Sequence, residues 1–344
     1  MVSSSKIVVI GASAGGIEAL GELVRGLEPG FGAPILVVVH VTPDAPSLLP
    51  KILARAGTVQ TKTAVDGERV ENGMLYVAPP DRHLIIEADG TLRTPRGPRE
   101  NRHRPAVDPL FRSAALAYGS NAIGVILSGS LDDGTAGLLA IEDRGGITMV
   151  QDPEEAAYPG MPESALAYVK VDHVLPVKDI ARQLAISVNE ARPVEEEGST
   201  MKQMDLEKRI AGMDSDAFRG DDRPGRPSAF SCPDCGGVLW QIEDGEFTRF
   251  RCRVGHAYSP ESMLGAQADV LEEALWTAMK TLDENARLAK RLADSERVRG
   301  HAWLTRRFEQ REREARDRAE VIRRFLASGD STVTLATPET TGVS

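Results

Sequence analysis

Three short apolar runs, each closing on a cluster of small and polar residues, constrain this chain more than any other feature. They are Lys6 to Gly16 (KIVVIGASAGG), Ala33 to Pro43 (APILVVVHVTP) and Ile123 to Gly137 (IGVILSGSLDDGTAG). The apolar part of each does not alternate with polar residues, which is the pattern of a strand buried on both faces. Helical stretches between such runs predict an α/β fold with a doubly wound, mainly parallel sheet. In open parallel sheets, reactive groups collect just beyond the carboxyl ends of the strands. The three runs place Ser13, His40 and Asp133 at those ends: a nucleophile, a base and an acid.

Ser13 carries the sharpest local signal, because Gly11-Ala12-Ser13-Ala14-Gly15 fits the G-x-S-x-G elbow between a strand and a helical stretch, Ile17 to Gly26. Flanking glycines permit a tight strand-to-helix turn, and the first amides of the helix then face an oxyanion formed beside the serine. A serine hydroxyl needs a neighbouring base to become a nucleophile. Imidazole titrates near neutrality, so His40 suits that task, and Asp133 would fix its tautomer. A glycine-rich loop after a first strand also serves as a dinucleotide or phosphate cradle. A dinucleotide site calls for Asp or Glu at the end of the second strand, where this chain has His40.

Three further motifs stand in the same region: YVAPPDRHL (Tyr76 to Leu84), RPAVDPLFRSAA (Arg104 to Ala115) and QDPEEAAYPGMPESAL (Gln151 to Leu166). With them, the segment from about residue 5 to 190 resembles the chemotaxis receptor protein-glutamate methylesterases of the CheB type. The resemblance places the family's nucleophile on Ser13, its histidine on His40 and its aspartate on Asp133. Asp133 is preferred to Asp132 because it immediately precedes the glycine of its motif. The activity implied is hydrolysis of γ-glutamyl methyl esters on methylated chemoreceptor or related signalling proteins, with release of methanol and an accompanying glutamine deamidation. Two departures are visible. Ala14 follows the nucleophile where the family usually has threonine, and the loop Gly129-Ser130-Leu131-Asp132-Asp133-Gly134 changes side chains around the acid. Backbone amides survive both changes. The first strand begins at Lys6, leaving no room before it for the receiver domain of typical members, so phosphorylation control is not expected.

A formal net charge of -10 over 344 residues argues against sequence-independent binding to nucleic acid or to an anionic membrane. No apolar run reaches membrane-spanning length and no signal peptide precedes the first strand, so a cytoplasmic location is expected.

Beyond the α/β region, all three cysteines fall in one short stretch, giving C-x2-C-x16-C-x3-H from Cys232, Cys235, Cys252 and His256. This set suits tetrahedral zinc, and the spacer holds two candidate strands, Val238 to Ile242 and Phe247 to Arg251, around a turn at Asp244-Gly245. So small a ribbon lacks a core, and a structural metal would stabilise it. No cofactor is expected for catalysis. From Glu261 onward, apolar residues at three-four spacing (Leu271, Leu275, Ala278, Leu282, Ala289, Leu292, then Leu304, Phe308, Ala315, Ile322 and Leu326) predict a helical hairpin broken at Arg299-Gly300, open to docking a partner or dimerising.

The expected order is a methylesterase domain over 1–192, a flexible linker over 193–228 with a short helical island near Met201 to Met213, a zinc-ribbon-like module over 229–260, a helical hairpin over 261–328 and a disordered tail over 329–344. Across such a linker, chelation is expected to unfold the ribbon and spare the α/β domain. Two other functions stay open on the residues alone: an adaptor that keeps the fold without catalysis, and a hydrolase of another ester or amide.

Overall fold

The computed structural model describes residues 6–43, 48–190, 200–220 and 225–328. In chain order the first half runs β1 (Ile7–Ala12), α1 (Gly16–Gly26), β2 (Ile35–Val39), α2 (Leu49–Ala56), β3 (Gln60–Thr63), β4 (Met74–Val77), β5 (Ile85–Ile86), β6 (Leu92–Arg93), α3 (Val107–Tyr118), β7 (Ala122–Ile126), α4 (Thr135–Asp143), β8 (Ile147–Gln151), α5 (Gly160–Tyr168), β9 (His173–Leu175) and α6 (Val177–Ser187). Then come α7 (Thr200–Ala211), α8 (Ser215–Arg219), β10 (Arg226–Ser231), β11 (Val238–Asp244), β12 (Phe247–Cys252), β13 (Ala257–Tyr258), α9 (Pro260–Val298) and α10 (Ala302–Ala327).

Seven strands form one sheet in the order β3-β4-β2-β1-β7-β8-β9, and each neighbouring pair is parallel. The unbroken apolar runs follow directly from this sheet. Ile7 and Val9 face a core with Phe111 of α3 and Leu138 of α4, while Val8 and Ile10 face a second core with Leu20 of α1 and Ile180 of α6. All four β1 residues are fully buried, each worth roughly 1.5–3 kcal/mol relative to exposure. A polar residue at either parity would land in a core.

The chain leaves β1 for β2 on one side and returns to β7 on the other, so the strand order reverses beside β1. That reversal opens a crevice at the carboxyl ends. The loops after β1, β2 and β7, which carry Ser13, His40 and Asp133, all border it.

The linker expectation needs correction over 200–220, where α7 and α8 are folded; residues 193–199 and 221–224 lie outside the described residues, as does the tail over 329–344. Glu207 of α7 is fully buried and pairs with Arg112 of α3 (3.2 Å), Arg249 of β12 (2.9 Å) and Arg251 of β12 (3.3 Å). Arg112 and Arg251 both reach Glu100 as well. A four-stranded ribbon, β10-β11-β12-β13, is thereby joined to the α/β domain, and the described residues up to Met263 form one compact unit. The expectation of a ribbon independent of the α/β domain is corrected with it. Charged side chains are rarely buried this fully unless paired, and here their convergence makes a buried cluster.

The described residues from Leu264 onward form the second unit. There α9 and α10 meet through small side chains, with Ala286, Ala289 and Ala293 buried along one helix and Ala315 and Ala319 along the other. Arg297–Glu309 (2.6 Å) and Arg323–Asp283 (3.3 Å) join the two helices. The break falls where the sequence placed it. Leu271 and Leu292 of the expected stripe stay exposed. No helix among the described residues is long and apolar enough to cross a membrane.

Candidate active site and metal centre

Close packing against α3 and the turn after β1 explain the two glycines of the elbow. A Cβ on Gly11 would sit 2.3 Å from Cγ1 of Val107, and Gly15 takes φ +72°, which L residues rarely adopt. The turn brings Ser13 against the loop after β7, where its N–H donates to the carbonyl of Ser128 (2.9 Å). The space is tight: a Cβ on Gly129 would meet Ser13 Cβ at 2.9 Å and Met161 Sδ at 2.1 Å.

Ser13 Oγ lies 3.0 Å from Nδ1 of His40, and Nε2 of the same ring lies 2.7 Å from Oδ2 of Asp133. The structure thus brings together three residues that are far apart in sequence. An ionised carboxylate only accepts, so the ring nitrogen facing Asp133 carries the proton. Nδ1 is then left with a lone pair toward the serine hydroxyl. Asp133 also accepts from the amides of Val107 (2.7 Å, Oδ2) and Asp108 (3.3 Å, Oδ1) and from Nδ2 of Asn101 (2.9 Å, Oδ1). Burial works to raise this carboxyl, but the hydrogen bond and charge of His40, together with Val107 and Asn101, outweigh it and hold Asp133 well below the usual carboxylate range. It stays ionised.

Asp108 behaves oppositely. Burial and the nearby charge of Asp133 push its carboxyl up to about 7. Asn101 Nδ2 lies between the two carboxylates, donating also to Oδ2 of Asp108 (2.9 Å), and Gly137 N–H donates to Oδ1 (2.7 Å). Asp132 is buried too, accepts from Ser259 Oγ (2.6 Å), and is pushed up to about 7 by burial.

His103 lies flat on His40, ring centroids 3.6 Å apart and planes within 10°. Burial and the neighbouring His40 hold it down to about 4, so it stacks as a neutral ring near pH 7. Asn101 and His103 belong to a strap that His83 braces, through Nε2 to the Pro98 carbonyl (2.8 Å) and Nδ1 accepting from Ala106 N–H (3.3 Å). Asp81 adds ion pairs to Arg96 and Arg104, each 2.6 Å.

Each sequence motif therefore has a physical task. Asp81 and His83 hold the strap, Val107 and Asp108 supply amides to Asp133, and Gln151 accepts from the Ser128 amide (2.8 Å) behind Ser13. Ser128 Oγ in turn donates to the Ala14 carbonyl (2.8 Å). Sequence reasoning missed Asn101, His103 and Ser259. The first two stand just before the Arg104 motif, and a polar cluster there was the available signal; Ser259 before Pro260 has the local form of a helix N-cap, and its Oγ accepts from Ser262 N–H (3.1 Å), but nothing local points it toward Asp132.

In the ribbon, Cys232, Cys235, Cys252 and His256 place their ligand atoms within 4.8 Å of one another. Cys235 Sγ to Cys252 Sγ is 3.7 Å, and His256 Nδ1 lies 3.7 Å from Cys232 Sγ and 3.6 Å from Cys252 Sγ. Tetrahedral zinc with ordinary bond lengths demands sulfur–sulfur separations of about 3.8 Å and sulfur–nitrogen separations of about 3.6 Å. The donor set fits such an ion, and four protein ligands would leave it no open position.

The family model described as CheB methylesterase matches residues 8–184. A curated relative from Leptospira interrogans (serogroup Icterohaemorrhagiae, serovar copenhageni) is 41% identical over 174 residues, which are 51% of this chain and 90% of the relative. A protein-glutamate methylesterase/protein-glutamine glutaminase 2 from Rhizobium johnstonii is 39% identical over 188 residues, 54% of this chain and 51% of that protein, so this chain spans about half the length of that relative. The crystal structure of the Thermotoga maritima CheB methylesterase catalytic domain is similar with a TM-score of 0.52 and 38% identity, over 53% of this chain and 98% of that domain.

Proposed function

The chain belongs to the CheB methylesterase family, and from that premise we propose that it is a protein-glutamate methylesterase in which Ser13, His40 and Asp133 carry the reaction. The observation that supports this reading most directly is the pair of contacts at His40, 3.0 Å to Ser13 Oγ and 2.7 Å to Asp133 Oδ2. His40 Nδ1 takes the hydroxyl proton as Ser13 Oγ attacks the γ-carbonyl carbon of a methylated glutamate side chain. On this reading, backbone amides of the turn into α1 stabilise the developing oxyanion. His40 then protonates the departing methoxide, which leaves as methanol, and the glutamyl group stays esterified to Ser13. Water, deprotonated by the same ring, attacks this acyl intermediate and restores Ser13 with release of the glutamate side chain. With glutamine as substrate the same sequence releases ammonia.

Asp133 stabilises the imidazolium formed in each half-reaction, and neutral His103 shields one ring face without adding a competing charge. Substrates on this reading are methylated chemoreceptor-type signalling proteins. Cys232, Cys235, Cys252 and His256 hold structural zinc, which supplies folding stability and no chemistry, and reduced thiols of this kind fit a cytoplasmic location. The test of the central reading is methanol release from methylated receptor helices by the full chain and by Ser13→Ala. An equally active variant would remove the proposed mechanism.

A further inference from the structure

Asp133 is anchored partly by residues that lie far outside the segment matched by the family model. The link is Asn101, buried at 4% exposure and held with φ 49°. Its backbone N–H donates to the Ala257 carbonyl of β13 (2.8 Å). Its side-chain oxygen accepts from the Ser259 N–H (3.0 Å) and from Ser262 Oγ (3.3 Å) at the start of α9. Its amide nitrogen spends both hydrogens on Asp108 and Asp133, each at 2.9 Å. Every hydrogen-bonding site of the side chain is used. An asparagine amide is nearly symmetric in shape, so only its partners decide which end faces a carboxylate. Here donors from the C-terminal segment fix the oxygen end, and that forces the nitrogen toward Asp133.

Ser259 holds the same region a second time. Its hydroxyl donates to Oδ1 of Asp132 (2.6 Å), the residue next to Asp133, while its N–H holds Asn101. Beside it, Glu100 bridges to Ala257 and pairs with Arg251 of β12 (2.9 Å).

We propose that the C-terminal ribbon and the first turn of α9 form a positioning part of the active site, acting on Asp133 through Asn101. The inference rests on the reading of Ser13, His40 and Asp133 as the reacting triad. Asn101 touches no reacting atom and is a positioning residue. Its loss should misalign Asp133, and with it the His40 ring, in the transition state while leaving substrate binding alone.

The test uses the full chain and methanol release from methylated receptor helices, with folding checked by circular dichroism. Asn101→Ala is expected to lower kcat roughly tenfold to a hundredfold with KM unchanged, the loss of hydrogen bonding to a buried charge. In an Asp133→Asn background the same substitution should cost almost nothing further, because its effect passes through Asp133. The double variant Ser259→Ala, Ser262→Ala should lower kcat several-fold, again with no added loss once Asp133 is Asn. If Asn101→Ala does not fold, this serine pair carries the test. Wild-type kcat in a folded variant, or an undiminished loss in the Asp133→Asn background, overturns the proposal. An active Ser13→Ala protein would instead overturn the triad reading beneath it, so the two failures are separable.

Discussion

His40 presents Nε2 to Asp133 at 2.7 Å, which commits that nitrogen to carrying the proton and leaves Nδ1, 3.0 Å from Ser13, as the basic one. Ser13→Ala or His40→Ala should therefore abolish methanol release almost entirely, by on the order of a millionfold, with the fold retained. Asp133→Asn should cost about 10⁴ in kcat, since an amide in that place favours the wrong tautomer. Asp132→Asn should be mild, because Asp132 faces Ser259 rather than the ring. Steady-state kinetics of the four variants decide this, and equal losses at 132 and 133 would refute the assignment of the acid.

Asp132 also sets a pH dependence of stability. Burial pushes its carboxyl up to about 7, against about 3.9 in an unfolded chain. The folded state thus holds this proton more tightly, and the contribution of Asp132 to stability falls as pH rises from about 4 to about 7. Asp132→Asn removes the effect and still accepts from Ser259. Thermal unfolding should show the variant gaining on the wild type across that interval and level above it; a difference independent of pH would contradict the buried, protonated carboxyl.

Glu207 is the shared acceptor for Arg112, Arg249 and Arg251. Removing one partner of a buried ion pair leaves uncompensated charge and costs about 3–5 kcal/mol. Glu207→Ala should lower the urea midpoint accordingly, and should loosen the ribbon from the α/β domain, read as faster amide exchange in β12. An unchanged midpoint would mean that the cluster contributes little to the union of the two.

Metal analysis of the purified chain should find one zinc ion per molecule, lost in Cys252→Ser. Because the ribbon anchors Asn101, chelation should disorder the ribbon and also lower kcat, instead of sparing the α/β domain as an independent module would. Stripped zinc with kcat intact would separate the ribbon from catalysis, and native thiols without zinc would leave the four-ligand cluster unexplained.

The sequence by itself determined the sheet and the position of its reactive ends. Non-alternating Val and Ile runs at β1, β2 and β7 specify strands covered on both faces, and a parallel sheet then gathers Ser13, His40 and Asp133 at one edge, as the structure places them. The ligand spacing of Cys232, Cys235, Cys252 and His256 was equally local, since a short hairpin closes it. Contacts that depend on distant segments were not legible. Neither periodicity nor motif assigns Glu207, Asn101 and Ser259 their partners, and their roles arise only when α7, the strap before α3 and the start of α9 meet. Periodicity records which face of an element is buried, whereas the pairing of buried charges and amides depends on which elements become neighbours, and the tertiary structure alone decides that.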